Sequence, residues 1–310
     1  MRITEGSNYE TVRDTMRRGR EKMETLQNQA ASLKKLNRPS DNPAAAAEVL
    51  RIRSDKAKVE HFQLNSKIAE NFLVNTDQSI ADLSDIVVRS KELAISQSSM
   101  ASSSEETRRA VAEEVNQLFN QAVSVANRRV GDRSIFSGYK TQSPAVNSNG
   151  QYLGDRGQMM VEIGSDVFIA LNIPGDEVFN THPSPMSPDS QDHSEPGPDN
   201  VNLFNELQHF KVGLLAGDLD GIRDTLDRFD QLHGQLIATR AKVGARLQGV
   251  QYTNQATERQ QISNSVLSSS LEDADMAQVV TDLNKEESVF KSSLAASKRL
   301  IQPSLLDFLR

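Results

Sequence analysis

Cysteine and tryptophan are both absent from this chain of 310 residues. The first absence excludes structural disulfides, thiol catalysis and cysteine-ligated zinc together. It does not choose a compartment, because a reducing cytosol and a secreted cysteine-free protein look alike. Aromatic residues amount to only 5%, which argues against a compact enzyme built around a deep apolar pocket. No stretch approaches the roughly 18 consecutive apolar residues of a membrane-spanning helix. The first residues, Met1 to Glu21, contain neither an apolar h-region nor a small-residue cleavage site. The expectation is therefore cytoplasmic residence or export without a cleaved signal peptide. What the chain does have is 25% charged residues and a mean hydropathy of −0.52, a balance that suits long, solvated helices. The length is ample for one large or two ordinary domains.

The net charge of −7 is spread unevenly: residues 1–60 hold 13 Lys and Arg against 9 Asp and Glu. A basic terminus raises the question of nucleic acid. Here Arg17, Arg18, Arg20, Lys34 and Lys35 are interleaved with acids and lack an aromatic platform for stacking bases, so a solvated helix flank is expected and no nucleic-acid partner. The run around Arg51, Arg53, Asp55, Lys56 and Lys58 is likewise expected to form a solvated face, with bridging of neighbouring subunits as the alternative.

Both ends of the chain carry the same apolar rhythm. Val12, Met16, Gly19, Met23, Leu26, Ala30 and Leu33 alternate by four and three residues. So do Met276, Val280, Leu283, Glu287, Phe290, Leu294, Ser297 and Ile301. Such spacing marks a narrow seam that packs against other helices. Two seams at opposite ends predict termini that pair with each other and then face other molecules, which makes assembly the leading function.

Between them, Arg38-Pro39 disfavours helix, so residues 37–42 form a hinge. Asn42-Pro43 then opens a second helix through N-capping and a proline at its first position. Its apolar run passes through Leu50, Ala57 and Leu64 to Leu73, Ile80, Leu83, Val87 and Ala94. Ser103 with Glu106 predicts a capping box for a third helix, whose seam is Val111, Val115, Leu118, Ala122 and Val125. After Gly131 the period shortens. Ser134–Tyr139, Met159–Ile163 and Val167–Ile173 read as a small β region with a hairpin turn at Gly164-Ser165-Asp166. Residues 181–200 hold five of the ten prolines and read as an exposed loop. Helix resumes at Asn202. A seam of Leu226, Phe229, His233, Leu236, Arg240, Val243, Leu247 and Val250, continued by Asn254, Thr257 and Gln261, predicts a helix of about 50 residues, roughly 75 Å long.

Chemistry-bearing motifs are weak. Ser32-x-x-Lys35, Ser40-Asp41-Asn42 and Lys140-Thr141 imitate the three penicillin-binding-protein motifs, but Gln142 replaces the final glycine and the first two are nearly adjacent. His61, His182, His193, His209 and His233 show no metal-ligand spacing. Asp218-Leu219-Asp220-Gly221 lacks the rest of a calcium loop and reads as a helix cap, as do Asp273 and Asp275. The expectation is no catalytic residue, no metal and no cofactor.

Three segments then carry a resemblance. They are the hinge Leu33-Lys34-Lys35-Leu36-Asn37-Arg38-Pro39-Ser40-Asp41-Asn42-Pro43, the stretch Leu271-Glu272-Asp273-Ala274-Asp275-Met276-Ala277, and the end Leu305-Leu306-Asp307-Phe308-Leu309-Arg310. Together they resemble the flagellin superfamily. The NRPSD-x-P form of the hinge, Ile135-Phe136-Ser137-Gly138-Tyr139-Lys140-Thr141, and Asn172-Ile173-Pro174-Gly175-Asp176-Glu177-Val178-Phe179 are more similar to its hook–filament junction family, hook-associated protein type 3. The chain departs from that family's usual Ser-Gly-Lys before the hinge, having Leu33-Lys34-Lys35, and its outer domain is reduced.

The resemblance implies a mainly α fold: a long antiparallel helical rod or coiled coil with paired N- and C-terminal helices and a small β module in the middle. Residues 1–44 with 274–310 would form an inner coiled-coil layer, 45–136 with 200–273 a helical rod domain, and 137–199 the β module with its proline-rich loop. The assembly interface would comprise Val12, Met16, Met23, Leu26, Leu33, Met276, Val280, Leu283, Phe290, Leu294, Ile301, Leu305, Leu306, Phe308 and Leu309. The hinge motif would be Asn37, Arg38, Pro39, Ser40, Asp41 and Pro43. Implied partners are the other hook-associated junction protein, flagellin, copies of the chain itself and an export chaperone, with no membrane insertion. The implied location is the extracellular flagellum, reached unfolded through the flagellar type III apparatus. Filament flagellin and a cytoplasmic coiled-coil scaffold are the alternatives.

Overall fold

A computed structural model of the chain describes residues 5–98, 104–181 and 200–301, with side chains from residue 10 to residue 297. The elements run α1 (Glu5–Ser32), α2 (Pro43–Gln97), α3 (Glu105–Ala126), β1 (Arg129–Val130), β2 (Arg133–Ser134), β3 (Met160–Gly164), β4 (Val167–Ala170), α4 (Gly175–Phe179), α5 (Leu203–Ala216), α6 (Leu219–Glu272) and α7 (Met276–Ile301). The mainly α architecture with a small central β module is the one expected from the sequence. Two compact units result, one from residues 1–59 and 259–310, the other from residues 60–258.

The long helices, α2 of 55 residues and α6 of 54, each bury one continuous stripe. On α2 it runs Val49, Ile52, Val59, Ser66, Ala69, Leu73, Thr76, Ile80, Leu83, Val87, Ser90 and Ala94. The expected start of that stripe is corrected: Leu50 is 63% and Leu64 60% exposed, and Ala57 is exposed as well. On α6 the buried stripe is Ile222, Thr225, Phe229, Leu232, Leu236, Thr239, Val243 and Val250. Phe229, Leu236, Val243 and Val250 match the expected seam, but His233 is only half-buried and Arg240 is exposed. Arg240 instead pairs with Asp77 of α2 at 2.9 Å. The reason is geometric. Stripes spaced 4–3 and 3–4 share one position in each heptad and differ by one residue at the other, so only the partner's direction chooses between them.

Helix starts are set by polar caps. The Asn42 carboxamide oxygen accepts from Ala45 N at 3.1 Å, ahead of Pro43. Asn202 accepts from Phe204 and Asn205, Asp218 from Gly221, and Asp275 from Ala277 and Gln278. The cap of α3 is Ser104, which accepts from Thr107 N, one residue beyond the expected Ser103; Ser103 lies outside the described residues. Asp273 is not a cap either: its carboxylate bonds the Ser269 hydroxyl. Gly217 closes α5 in the left-handed region, φ 72°, where glycine has no Cβ penalty.

In the central unit α3 lies against α5, and the β region supplies its aromatic centre. The hairpin β3–β4 forms as expected, turning at Ser165-Asp166, with Val161 opposite Ile169. Ser134–Tyr139, expected as a strand, is mostly irregular. Only Ser134 joins β2, while Ile135 and Phe136 are fully buried. This segment and the stretch around Pro174 meet directly. Gly175 N donates to Phe136 O at 2.8 Å, and the Phe136 and Phe179 rings stand edge-on at 5.5 Å. Phe179 continues the cluster to Phe204 at 5.2 Å, and Phe204 to Phe119 at 6.1 Å. Each such pair adds about 0.5–1.5 kcal/mol to the area it buries. The hairpin is pinned on α2 by Asn65 Nδ2 donating to Glu162 O at 2.8 Å, and β4 with its continuation on α6 by Arg246 donating to Asn172 O at 2.9 Å.

Candidate functional site

The terminal helices α1 and α7 pair with each other. Their direction follows from two contacts: Lys22 meets Glu286 at 3.3 Å, and three residues earlier on α1 Gly19 faces Phe290, four residues later on α7. The pair is therefore antiparallel. A Cβ on Gly19 would stand 3.3 Å from the Phe290 ring, so glycine lets that ring approach the α1 backbone closely. The Arg20 guanidinium lies 6.0 Å from the same ring's centroid, within reach of a cation–π attraction.

Val12, Met16, Met23 and Leu26 line the half-buried face of α1, with Gly19 and Ala30. Leu33 does not. It lies just past the helix, 58% exposed, with φ 59°, a conformation that costs a non-glycine residue about 1–3 kcal/mol. On α7, Met276, Leu283 and Phe290 are half-buried. The alternate positions shift by one: Val279 is buried, whereas Val280 is 47% and Leu294 45% exposed. Glu286 and Ser293 occupy the half-buried face in place of Glu287 and Leu294. Val289 is also 51% exposed, beside a shallow depression of about 420 Å³ lined by Ser288, Ser292, Ser293 and Ala296. That depression holds no titratable group, so it offers contact rather than chemistry. The side chain of Ile301, and Leu305, Leu306, Phe308 and Leu309, lie outside the described residues, as do His182 and His193.

The hinge motif folds on its own polar groups. Asp41 accepts from the backbone N–H of Arg38 at 2.9 Å and of Asn37 at 3.3 Å, closing a turn through Pro39 and Ser40. Asn37 accepts from the Ser32 hydroxyl at 2.6 Å. The connector preceding that turn is bonded to the connector between α6 and α7. Lys35 N donates to Glu272 O at 2.7 Å, and Ala274 N to Leu33 O at 3.1 Å. Glu272, with its side chain 7% exposed, takes Lys34 at 2.6 Å and Arg53 of α2 at 3.0 Å. Hydrogen bonds from Arg53 first, then Lys34, hold the Glu272 carboxyl below its ordinary range. Sequence reasoning missed Glu272 as an organiser; it placed Arg53 on a solvated face, where Arg53 is exposed, but missed its pairing with Glu272. The only local signal was an acid beside the family-like Asp273-Ala274-Asp275, and nothing in the spacing pointed to Arg53.

A second buried carboxylate, Glu206 of α5, sits within 3.3 Å of Arg228 and 3.9 Å of His209. Burial pushes its pKa up despite Arg228. Among the described residues no group of three or more His, Cys, Asp or Glu is placed to hold a metal ion, and no helix is long and apolar enough to cross a membrane. Ser32 is occupied by Asn37, and the Lys140 amine by Leu153 O at 3.4 Å.

The chain is similar to flagellar proteins in sequence and in fold. Residues 3–141 match the family of the bacterial flagellin N-terminal helical region. A flagellin of Listeria innocua serovar 6a is 23% identical over 288 residues, spanning 92% of this chain and 90% of that protein. Flagellar hook-associated protein 3 of Escherichia coli K12 is 24% identical over 155 residues, 49% of each. The crystal structure of flagellar hook-associated protein 3 from Legionella pneumophila superposes with a TM-score of 0.59 at 19% identity, covering 70% of this chain and 97% of that one. In sequence and in fold the chain is flagellin-like, and its helical architecture is that of a flagellar hook-associated protein 3.

Proposed function

We propose that the chain is a structural subunit of the bacterial flagellum without enzymatic activity, acting as the adaptor between hook and filament. Its α1–α7 pair is the assembly surface. One observation carries this reading: the terminal pair stays half-covered, with Val280, Val289 and Leu294 of α7 each about half exposed. A helical pair with a second apolar face gains by packing against further helices. Fully burying a Val- or Leu-sized side chain contributes about 1.5–3 kcal/mol. Neighbours of the same construction supply such helices, and a head-to-tail contact that does not close builds a tube with different partners at its two ends. Those partners are the other hook-associated junction protein on one side, flagellin on the other, and further copies of this chain around a short ring. An unfolded passage through the flagellar type III channel, escorted by a chaperone, is the export route that accompanies this role. Residues 1–44 with 274–310 form the inner layer in this reading, and Leu305, Leu306, Phe308 and Leu309 extend its surface.

Deleting the gene tests the proposal. Hooks without filaments, and monomeric flagellin in the medium, are expected; normal filaments would overturn it. A second reading, filament flagellin, draws on the Listeria flagellin match along nearly the whole chain. Seeded polymerisation separates the two: long filaments favour flagellin, and growth that stops at a short ring favours the adaptor.

A further inference from the structure

Three features converge where the unit of residues 1–59 and 259–310 turns its corners. The α1–α2 and α6–α7 connectors are joined by backbone hydrogen bonds on both sides of Lys34. One carboxylate, Glu272, is closed off from solvent yet satisfied from two directions, by Lys34 on the α1 side and by Arg53 on α2. Leu33, directly beside this cluster, is held in the left-handed region. A strained residue of this kind persists only where its surroundings over-determine it, and here the surroundings are the bonds to residues 272–274.

We propose that Glu272 is the pin of a latch that fuses the two connectors into one joint, so that the paired terminal helices hold a single orientation on the adjoining ends of α2 and α6. With the carboxylate intact, residues 34–36, which carry α1, cannot lift away at the 37–42 turn without breaking the Lys34 ion pair, and the end of α6, which carries α7, cannot part from α2 without pulling Glu272 from Arg53. Without it, only the Lys35 and Ala274 backbone bonds remain, and relief of the Leu33 conformation favours opening. The other charged groups at the joint are otherwise engaged or solvent-facing: Asp273 with Ser269, Asp275 on the α7 N-terminus, Asp41 inside its own turn, and Lys35 exposed. Glu272 is therefore the one carboxylate bridging the connectors. The latch concerns the free chain and stands apart from the flagellar reading.

The absence of cysteine makes the test clean, because spin labels can be placed at will in the full-length chain. One pair, E24C with S54C, reports the α1-to-α2 distance; another, E24C with K285C, reports the α1-to-α7 distance. All three positions are exposed. Each pair is measured alone, with E272Q, and with R53Q, which removes only the α2 arm. The expected result is a single narrow α1–α2 distance in the parent. That peak is lost in E272Q and weakened in R53Q, while the α1–α7 distance and the circular dichroism stay unchanged. About 1 M salt, where screening acts within ~3 Å, should move the parent toward the E272Q distribution. An unaltered α1–α2 distance in E272Q would overturn the latch. So would simultaneous loss of the α1–α7 distance, which would make Glu272 a general support of the unit rather than a pin.

Discussion

In the unit of residues 60–258, Phe136, Phe179, Phe204, Phe210 and Phe229 are sealed from solvent, whereas Phe290, an aromatic of the α1–α7 pair, is only half-buried. The first unit closes its core from its own residues, with α3, α5, α6 and the β region each contributing a face. The second has one antiparallel pair whose shared face includes Asp14, Glu286, Ser293 and Ser297 alongside the apolar residues. Dispersion and hydrophobic terms scale with what is removed from water, so the first unit draws them from its own core while the second gains most when other helices cover it. The same chain thus contains a finished domain and an unfinished one, and the unfinished one is where partners have something to add.

The sharpest way to break this comparison is to empty the finished core. Phe179→Ala removes the ring touching Phe136, Tyr152 and Phe204 and should cost about 3–5 kcal/mol, read by urea unfolding of the central unit. Phe290→Ala should cost the free chain about 1–2 kcal/mol, because a half-buried ring has less to lose. Phe290→Asp should abolish incorporation into assembled structures while leaving the central unfolding transition in place. Equal losses for Phe179→Ala and Phe290→Ala in the free chain would erase the distinction between the units.

Protonation sharpens the comparison further, since the two buried glutamates move oppositely. Glu272 is held below the ordinary range near about 4.3 by Arg53 and Lys34. The unfolded chain binds the proton first, so the stability it contributes is complete above that range and is lost as pH falls through the folded value. Glu206 is raised by burial, so its charged form is penalised in the fold. Its favourable contribution is complete below the ordinary range and disappears as pH rises through the folded value. Acid titration should therefore weaken the terminal unit in the parent but much less in E272Q. E206Q should flatten the pH response of the central unit in the opposite sense. Identical pH profiles for parent and both variants would contradict the burial and pairing of these groups.

The smallest effect is expected from deleting residues 183–198. The chain on either side is already fastened, Asn180 bridging to Asn202 and Thr181 N donating to Val201 O at 3.0 Å. Shortening a connection whose ends are tied changes closure entropy by only about 0.6 kcal/mol per halving, so motility and the unfolding midpoint should hardly move. A lost central transition would show that this segment contributes to the core.

Much of the fold was legible in the sequence because hydrophobic period is a local property. The long helices, the Asn42-Pro43 and Asn202 starts, the Asp218 and Asp275 caps and the β3–β4 hairpin all follow from residues a few positions apart. The phase of each stripe was not legible. Val49 or Leu50, Leu232 or His233, Val279 or Val280 satisfy the same heptad equally well until a neighbouring helix arrives from one side. The ion cluster was hidden for a stronger reason, since Lys34, Arg53 and Glu272 are brought together across 219 residues and more, and no spacing rule reaches that far. Local sequence determined which segments are helices, where most of them cap and turn, and that the two end helices carry apolar seams. Tertiary structure alone decided which flank of each helix faces inward and which charges meet at the corners, because both depend on where a distant partner stands.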